Sequence, residues 1–183
     1  MAKTYFFVDV ETTGKNFDKA IYRENKLLSV SYLIVDEELN ILNKNSFILH
    51  HDKNISEEMN DYVKEMHTKT GLLNEVVKSK LTLKEVENKI LQDLELYSNG
   101  KIIPAGNNIQ FDVEVVRRNL PLVFEKFYYS FFDVTSVRKA LSLVYPNQIK
   151  KIKDAKKLNH NSLIDCEDAL NELKAILIFV KSK

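Results

Sequence analysis

The sequence has a single cysteine, no long apolar run and almost no net charge. With Cys166 as the only thiol among 183 residues, an intrachain disulfide is excluded. No apolar stretch approaches the roughly 20 residues that a membrane-spanning helix needs, and the first residues lack the regions of a secretory signal. A net charge of +1 is unlike that of a protein that coats long duplexes. We therefore expect a cytoplasmic protein without membrane contact.

The composition is that of a globular protein with one hydrophobic core. Hydrophobic residues make up 44% of the sequence and charged residues 29%, which are ordinary values for this class. The sequence contains no internal repeats and no low-complexity linkers. Together with the length, this predicts a single domain that spans residues 1–183.

Hydrophobic periodicity predicts an α/β fold with a mixed, mainly five-stranded sheet flanked by helices. The expected strands are rich in aliphatic and aromatic residues and cover 5–14, 27–35, 41–49, 101–105 and 128–132. Short polar loops between the second and third strands indicate an antiparallel hairpin. The expected helices are 56–66 with Ser56 as N-cap, 83–98, 109–119, 133–144 and a last helix from about 162.

A lysine-rich segment, residues 150–157, lies between the last two expected helices. We expect Pro146 to end the preceding helix and this segment to be a loop. It could follow the phosphates of a nucleic acid, or it could be a solvated loop, which is the usual state of a charge run. Charge reversal and salt dependence would separate the two.

Two carboxylates near the end of the first strand form an informative local pattern. Side chains alternate between the faces of a strand, so Asp9 and Glu11 point to the same side of the sheet. Two adjacent negative charges repel each other unless a cation or a proton lies between them. Hard divalent cations such as Mg²⁺ prefer oxygen ligands of this kind. The pattern therefore predicts a metal site at this strand end.

Three later residues are candidates for the same site as this pair. Asp112 follows a strand-to-turn junction, where ligand sites of α/β sheets collect, although the helix dipole alone also favours an Asp there. Asp165 flanks the expected apolar stripe of the last helix and also fits a capping box with Ser162. His160 precedes that helix, and an imidazole titrates near neutrality, as a general base requires. Each residue taken alone also has an ordinary structural explanation.

Together these residues resemble the DEDDh 3′→5′ exonucleases, which have a ribonuclease H-like fold. The matching motifs are residues 8–14, 108–112 and 160–165. Within that superfamily the likeness is greatest to oligoribonucleases, and it extends to residues 62–72, 106–109 and 132–136. The resemblance implies that two divalent cations, Mg²⁺ or Mn²⁺, are bound by Asp9, Glu11, Asp112 and Asp165. It also implies that His160 is the general base.

The same resemblance implies a set of substrate contacts. Tyr62 lies where oligoribonucleases have an aromatic residue that stacks on a base, and His67 lies where they have a histidine near the terminal phosphate. Tyr129 matches a tyrosine that reaches the neighbouring subunit's site in their dimers, although a half-buried strand aromatic is an equal alternative. Thr12 and Asn108 complete the expected substrate-binding residues.

Three departures from the oligoribonuclease pattern argue against a strict preference for dinucleotides. Lys15 stands where those enzymes have an apolar leucine, and Asn108 stands where they have a serine. Ser130 replaces an arginine that caps the 5′-phosphate, and a serine hydroxyl is no substitute for a bidentate guanidinium. The Thr-Thr-Gly triplet at 12–14 is also typical of proofreading-type DNA exonucleases.

The resemblance thus implies an exoribonuclease that degrades short single-stranded RNA from its 3′ end to nucleoside 5′-monophosphates. A single-stranded DNA exonuclease of the proofreading type is the nearest alternative, because the sequence does not show a contact to the 2′-hydroxyl. A non-catalytic nucleic-acid-binding module is a third interpretation, and the complete set of acids and histidine argues against it. A homodimer follows from the oligoribonuclease likeness alone.

Overall fold

The computed structural model describes residues 3–14, 25–154 and 161–183. In these residues, five strands form one sheet in the order β3-β2-β1-β4-β5. The strands are β1 (Lys3–Thr12), β2 (Leu27–Val35), β3 (Ile41–Ile48), β4 (Lys101–Gly106) and β5 (Phe132–Asp133). The first three pair antiparallel, whereas β4 runs parallel to β1 and β5. The mixed five-stranded sheet confirms the predicted fold class.

Helices cover both faces of this sheet. After a 3₁₀ helix (Lys53–Glu58), the α-helices in the described residues are α1 (Asp61–Lys69), α2 (Leu72–Lys78), α3 (Leu83–Tyr97), α4 (Gln110–Asn119), α5 (Pro121–Phe124), α6 (Val134–Ser142), α7 (Pro146–Asp154) and α8 (Ser162–Lys181). Among these described helices, none combines the length and apolarity required to span a bilayer.

Alternation along β1 divides the core into two layers. Phe6 and Val8 belong to a cluster that includes apolar residues of α3, α4 and α5. Phe7 belongs to a cluster on the other face, which includes Cys166 and other residues of α8. Because side chains alternate with a period of two, Asp9 and Glu11 lie on the same face as Phe7. The strand therefore directs both carboxylates toward α8.

The single helix predicted for residues 56–66 is wrong. Ser56 lies inside the 3₁₀ helix, and α1 begins after a separate N-cap, Asn60. The Asn60 side chain accepts a hydrogen bond from the backbone N–H of Val63 at 2.9 Å, which fixes the start of the helix. Gly71 separates α1 from α2 and has φ +79°, a conformation that glycine adopts without strain.

The strand predicted for residues 128–132 is much shorter than expected. The Tyr128 backbone N–H donates to the Ile102 carbonyl at 2.7 Å, but the ladder itself contains only Phe132 and Asp133. These two residues pair with the last residues of β4, where that strand ends. β5 can therefore pair with β4 over two residues only.

The segment after Pro146 is a helix up to Asp154, so the expected lysine-rich loop is wrong for this part. Pro146 is the first residue of α7, a position where the missing N–H of proline costs nothing. Ile149 is buried, whereas Lys150, Lys151 and Lys153 are exposed. Residues 155–157 lie outside the described residues.

Candidate active site

The end of β1 brings two carboxylates next to a third from α8. Asp9, Glu11 and Asp165 each offer one oxygen, and these oxygens all lie within 4.8 Å of one another. All three residues are only partly buried, so the cluster can be reached from solvent. The predicted common face of Asp9 and Glu11 is confirmed by this meeting with α8.

The start of α8 positions Asp165. Its N-cap is Asn161, whose side-chain oxygen accepts from the N–H groups of Leu163 and Ile164 at 3.1 and 3.3 Å. The alternative explanation of Asp165, a capping box with Ser162, is therefore wrong, because the cap lies one residue earlier. Asp165 instead has its carboxylate in the metal-site cluster, in the first turn, where the helix dipole favours negative charge.

The buried apolar stripe of α8 ends before the helix does. It is buried from Cys166 to Ile176, but Leu177 and Val180 are 39% and 42% exposed. The core cluster on this face includes α8 residues only up to Leu173, so the last turns lie beyond it. Asp165 lies at the other end of the helix, next to the buried part of the stripe.

Asp112 reaches the cluster from the opposite side of the sheet. Its Oδ1 accepts from the backbone N–H of Val10 at 3.1 Å, and the residue is only 6% exposed. Pairing between β1 and β4 ends at Phe7 and Ala105. Beyond this point the Asp112 carboxylate, and not a β4 carbonyl, accepts the hydrogen bond from the Val10 N–H. Val10 lies between Asp9 and Glu11, and this hydrogen bond therefore places Asp112 beside both.

The buried thiol of Cys166 lies close enough to three of the acids to be affected by their charges. Burial raises the pKa of the Cys166 thiol far above its ordinary value, and the charges of Asp9, Asp112 and Asp165 raise it further. The protonated thiol donates to the Ser31 carbonyl at 3.4 Å. Three carboxylates thus act on one buried atom under the sheet end, and the site is strongly negative.

This donor set fits divalent cations of the hard type. Each acid contributes oxygen, and the three oxygens that meet within 4.8 Å would repel one another without a cation. Oxygen-only sites suit Mg²⁺ and Mn²⁺, whereas Zn²⁺ usually takes nitrogen or sulfur ligands. Asp9, Glu11 and Asp165 are thus the residues that could hold a cation, with Asp112 beside them.

His67 lies behind the end of β1. Its Nε2 is 2.9 Å from the Thr12 carbonyl oxygen, and its Nδ1 is 4.0 Å from Oε2 of Glu11. The ring is 1% exposed, and Thr12 is also buried, with its hydroxyl donating to the Gly14 carbonyl. These contacts support the strand end that carries Glu11. The substrate contacts expected of Thr12 and His67 remain predictions.

Tyr62 and Asn108 are both exposed. The Tyr62 side chain on α1 is 69% exposed, so its ring is available for stacking. Asn108 has φ +51°, and its N–H donates to Oδ1 of Asp133 at 3.0 Å. Asp133 also caps α6 by accepting from the N–H of Thr135. The sequence interpretation missed this role, although Asp is a preferred N-cap residue and Asp133 stands at the start of an expected helix.

Tyr129 lies far from the carboxylates of its own chain. It is 85% exposed, and its ring centroid is 4.2 Å from that of Tyr128. Lys101, the first residue of β4, lies 4.0 Å over the Tyr128 ring. The acids lie beyond the opposite end of β4. His160 and Lys15 are outside the described residues, so their expected roles remain predictions.

Comparison with known proteins identifies relatives along most of the chain. The family model RNase_T, described as an exonuclease, matches residues 6–173. A protein of Dictyostelium discoideum named "Probable oligoribonuclease" is 30% identical over 182 residues, covering 98% of this chain and 91% of its own. The oligoribonuclease of Nocardia farcinica is 31% identical over 175 residues, covering 94% of this chain and 78% of its own.

Solved structures of E. coli exonuclease I share the fold. The zinc-bound form of its complex with single-stranded DNA has a TM-score of 0.71 at 16% identity and covers 96% of this chain. A second exonuclease I structure has a TM-score of 0.70 at 17% identity, again over 96% of this chain. The chain spans 41% of the length of each of these structures.

Proposed function

Because this chain belongs to the RNase_T exonuclease family, we propose that it is a 3′→5′ exoribonuclease that acts on short single-stranded RNA. The observation that carries the proposal is the meeting of Asp9, Glu11 and Asp165 within 4.8 Å, with Asp112 hydrogen-bonded between the first two. Oligoribonucleases that are 30–31% identical over nearly the whole chain support the substrate class. We propose one exonuclease domain over residues 1–183, in keeping with the match over 6–173.

We assign each acid a role in holding two divalent cations, Mg²⁺ or Mn²⁺. The chemistry that such cations supply when bound is Lewis-acid stabilisation of phosphoryl oxygens and a lowered pKa of water. Asp9, Glu11 and Asp165 provide oxygens that face one another, and Asp112 is fixed beside them by its bond to the Val10 N–H. The four acids thereby place the scissile phosphate at the end of β1.

The remaining steps depend on groups around the acids. His160 accepts the proton of the attacking water, a role suited to an imidazole that titrates near neutrality. The water attacks the last phosphodiester, the bond to the 3′-oxygen of the penultimate nucleotide breaks, and a nucleoside 5′-monophosphate leaves. Tyr62, with its exposed ring, stacks on a base and accepts any sequence. Asn108, which is exposed, lines the path of the terminal nucleotide, whereas the buried Thr12 and His67 hold the end of β1 next to that path.

A ladder assay tests this function. RNA and DNA of two, five and twenty nucleotides carry a 5′ label and are incubated with Mg²⁺, Mn²⁺ or EDTA. We expect stepwise shortening of the RNA from its 3′ end, fastest for the short RNAs and absent in EDTA. Faster shortening of DNA would favour the proofreading-type alternative, and binding without cleavage would favour a non-catalytic module.

We also propose a homodimer in which Tyr129 reaches the active site of the neighbouring subunit. Its ring is 85% exposed and lies at the end of β4 opposite to the acids, so it is placed to contact another molecule. Phe131, two residues later, is 47% exposed and adds apolar surface. A cytoplasmic location is in keeping with the single free thiol of Cys166.

Complementation between two inactive variants tests the dimer. Asp9→Asn loses its own site but keeps Tyr129, whereas Tyr129→Ala keeps all four acids. We expect the mixture to regain activity, because a mixed dimer contains one site with its acids and a tyrosine from the other subunit. The molar mass in solution should be twice 21.3 kDa. A monomeric mass, or a mixture no more active than its parts, would contradict the proposal.

A further inference from the structure

The geometry points to a hydroxyl pair, Ser31 and Ser162, that positions Asp165 and thereby sets the affinity of the site for its cations. This inference rests on the proposed function, because it concerns the same carboxylates. Ser31 is the residue of β2 that pairs directly with Asp9 of β1. Residues opposite each other in an antiparallel pair have side chains on the same face. The Ser31 hydroxyl and the Asp9 carboxylate therefore both face α8.

The two hydroxyls join the sheet to the first turn of α8. Their oxygens are 2.6 Å apart, and both residues are buried, at 0% exposure for Ser31 and 7% for Ser162. Ser31 Oγ also forms a hydrogen bond with Ser46 Oγ on β3 at 2.8 Å. A hydroxyl can donate one hydrogen bond and accept others, so the three serine hydroxyls form a continuous chain in which either Ser31 or Ser162 donates to the other. The hydrogen-bond chain runs from α8 through β2 to β3.

A second contact joins the same residue of β2 to the next turn of α8. Cys166, four residues after Ser162, donates its thiol to the Ser31 carbonyl at 3.4 Å. Residues four apart lie on the same side of a helix, so one strand residue holds two successive turns of α8. Asp165 lies between these two anchors. These two contacts, neither of which involves a carboxylate, join the turn that carries Asp165 to the strand residue that pairs with Asp9.

Such an anchor matters because the carboxylates oppose their own assembly. Before a cation binds, Asp165 is repelled by Asp9 and Glu11. A ligand held in place by supporting hydrogen bonds needs no ordering when the metal arrives, and such supporting contacts commonly raise metal affinity. Without the Ser162 hydroxyl, the start of α8 loses one of its two contacts to Ser31, and part of the ordering of Asp165 must then occur when the cation binds.

Ser162→Ala tests the inference, with Ser46→Ala as its matched control. Both substitutions remove one hydroxyl bonded to Ser31, but only the first breaks the link to α8. In Mn²⁺ titrations by calorimetry without substrate, we expect Ser162→Ala to weaken binding by roughly two- to tenfold, the range that one buried hydrogen bond corresponds to. Ser46→Ala should bind Mn²⁺ as the wild type does. The Mn²⁺ concentration for half-maximal turnover should shift in parallel.

Ser31→Ala provides an independent variant, because it removes the same bond from the strand side. Its Mn²⁺ affinity should fall by a factor similar to that of Ser162→Ala, and the double variant should be no weaker than either single one. Unchanged Mn²⁺ binding in both single variants, at any thermal stability, would overturn the inference. If the wild type binds no Mn²⁺ and cleaves nothing, the proposed function fails instead. An equal loss in Ser46→Ala would show a purely structural role and would also overturn it.

Discussion

Replacing Asp165 with asparagine is expected to lower turnover by roughly a thousandfold or more, since the charge that stabilises the reacting phosphate is lost with its cation. Asparagine keeps the size of the side chain, and the hydrogen bond from the Asp165 N–H to the Asn161 carbonyl at 2.9 Å does not depend on the carboxylate. The fold should therefore persist. Single-turnover kinetics with saturating short RNA would measure the loss, and circular dichroism would confirm the fold.

The matched control is Asp168→Asn, one helical turn later, outside the three-oxygen cluster. It should cleave RNA at the wild-type rate. Asp165→Asn, in contrast, should lose Mn²⁺ binding together with turnover, because it removes one of the three oxygens of the cluster. Mn²⁺ should stabilise the wild type and not this variant. Equal activity in Asp165→Asn and Asp168→Asn would refute the assignment.

Arg138→Met is expected to lower the free energy of unfolding by about 3–5 kcal/mol, because it leaves a buried carboxylate without its guanidinium. Nη1 of Arg138 lies 2.6 Å from Oε1 of Glu172, and their side chains are 17% and 0% exposed. This pair joins α6 to α8, the helix that carries Asp165. Equilibrium unfolding in urea at neutral pH would give the value.

Two comparison variants separate the cost of an unpaired buried charge from the loss of side-chain packing. Removing both partners, as Arg138→Met with Glu172→Leu, should restore stability to within about 1 kcal/mol of the wild type. Lys44→Met breaks the exposed 2.8 Å pair between Lys44 and Glu167, which also reaches α8, and should cost at most about 1 kcal/mol. A loss in Arg138→Met no larger than that in Lys44→Met would contradict the expected effect of burial.

The parts of the fold that the sequence predicted are those with a strong local hydrophobic pattern, either a continuous apolar run or an alternation. β2 is buried along its whole length, and its predicted bounds are confirmed. In β1, the same alternation places Phe7 in the α8 cluster and directs Asp9 toward that helix. The alternation along β1 thus determined which core layer Phe7 joins and toward which helix Asp9 and Glu11 point. The approach of Asp165 followed because the buried stripe of α8 determines which side of that helix meets the sheet.

The parts that failed depend on which of several polar residues takes a given hydrogen bond. Ser56 and Asn60 are both acceptable N-caps, and only the packing after the 3₁₀ helix gives the role to Asn60. At α8, Asn161 caps the helix and releases Ser162 for the sheet. The bond between Asp112 and the Val10 N–H required knowledge of where β4 stops. Such choices are made by tertiary contacts and leave no local period.

The most direct test of the central claim is a crystal structure of the wild-type protein soaked in Mn²⁺, with anomalous difference maps recorded to locate the ions. We predict two anomalous peaks at the end of β1, each bound by oxygens of Asp9, Glu11, Asp112 or Asp165. Carboxylates that are scattered, or Mn²⁺ bound only elsewhere on the protein, would contradict the account.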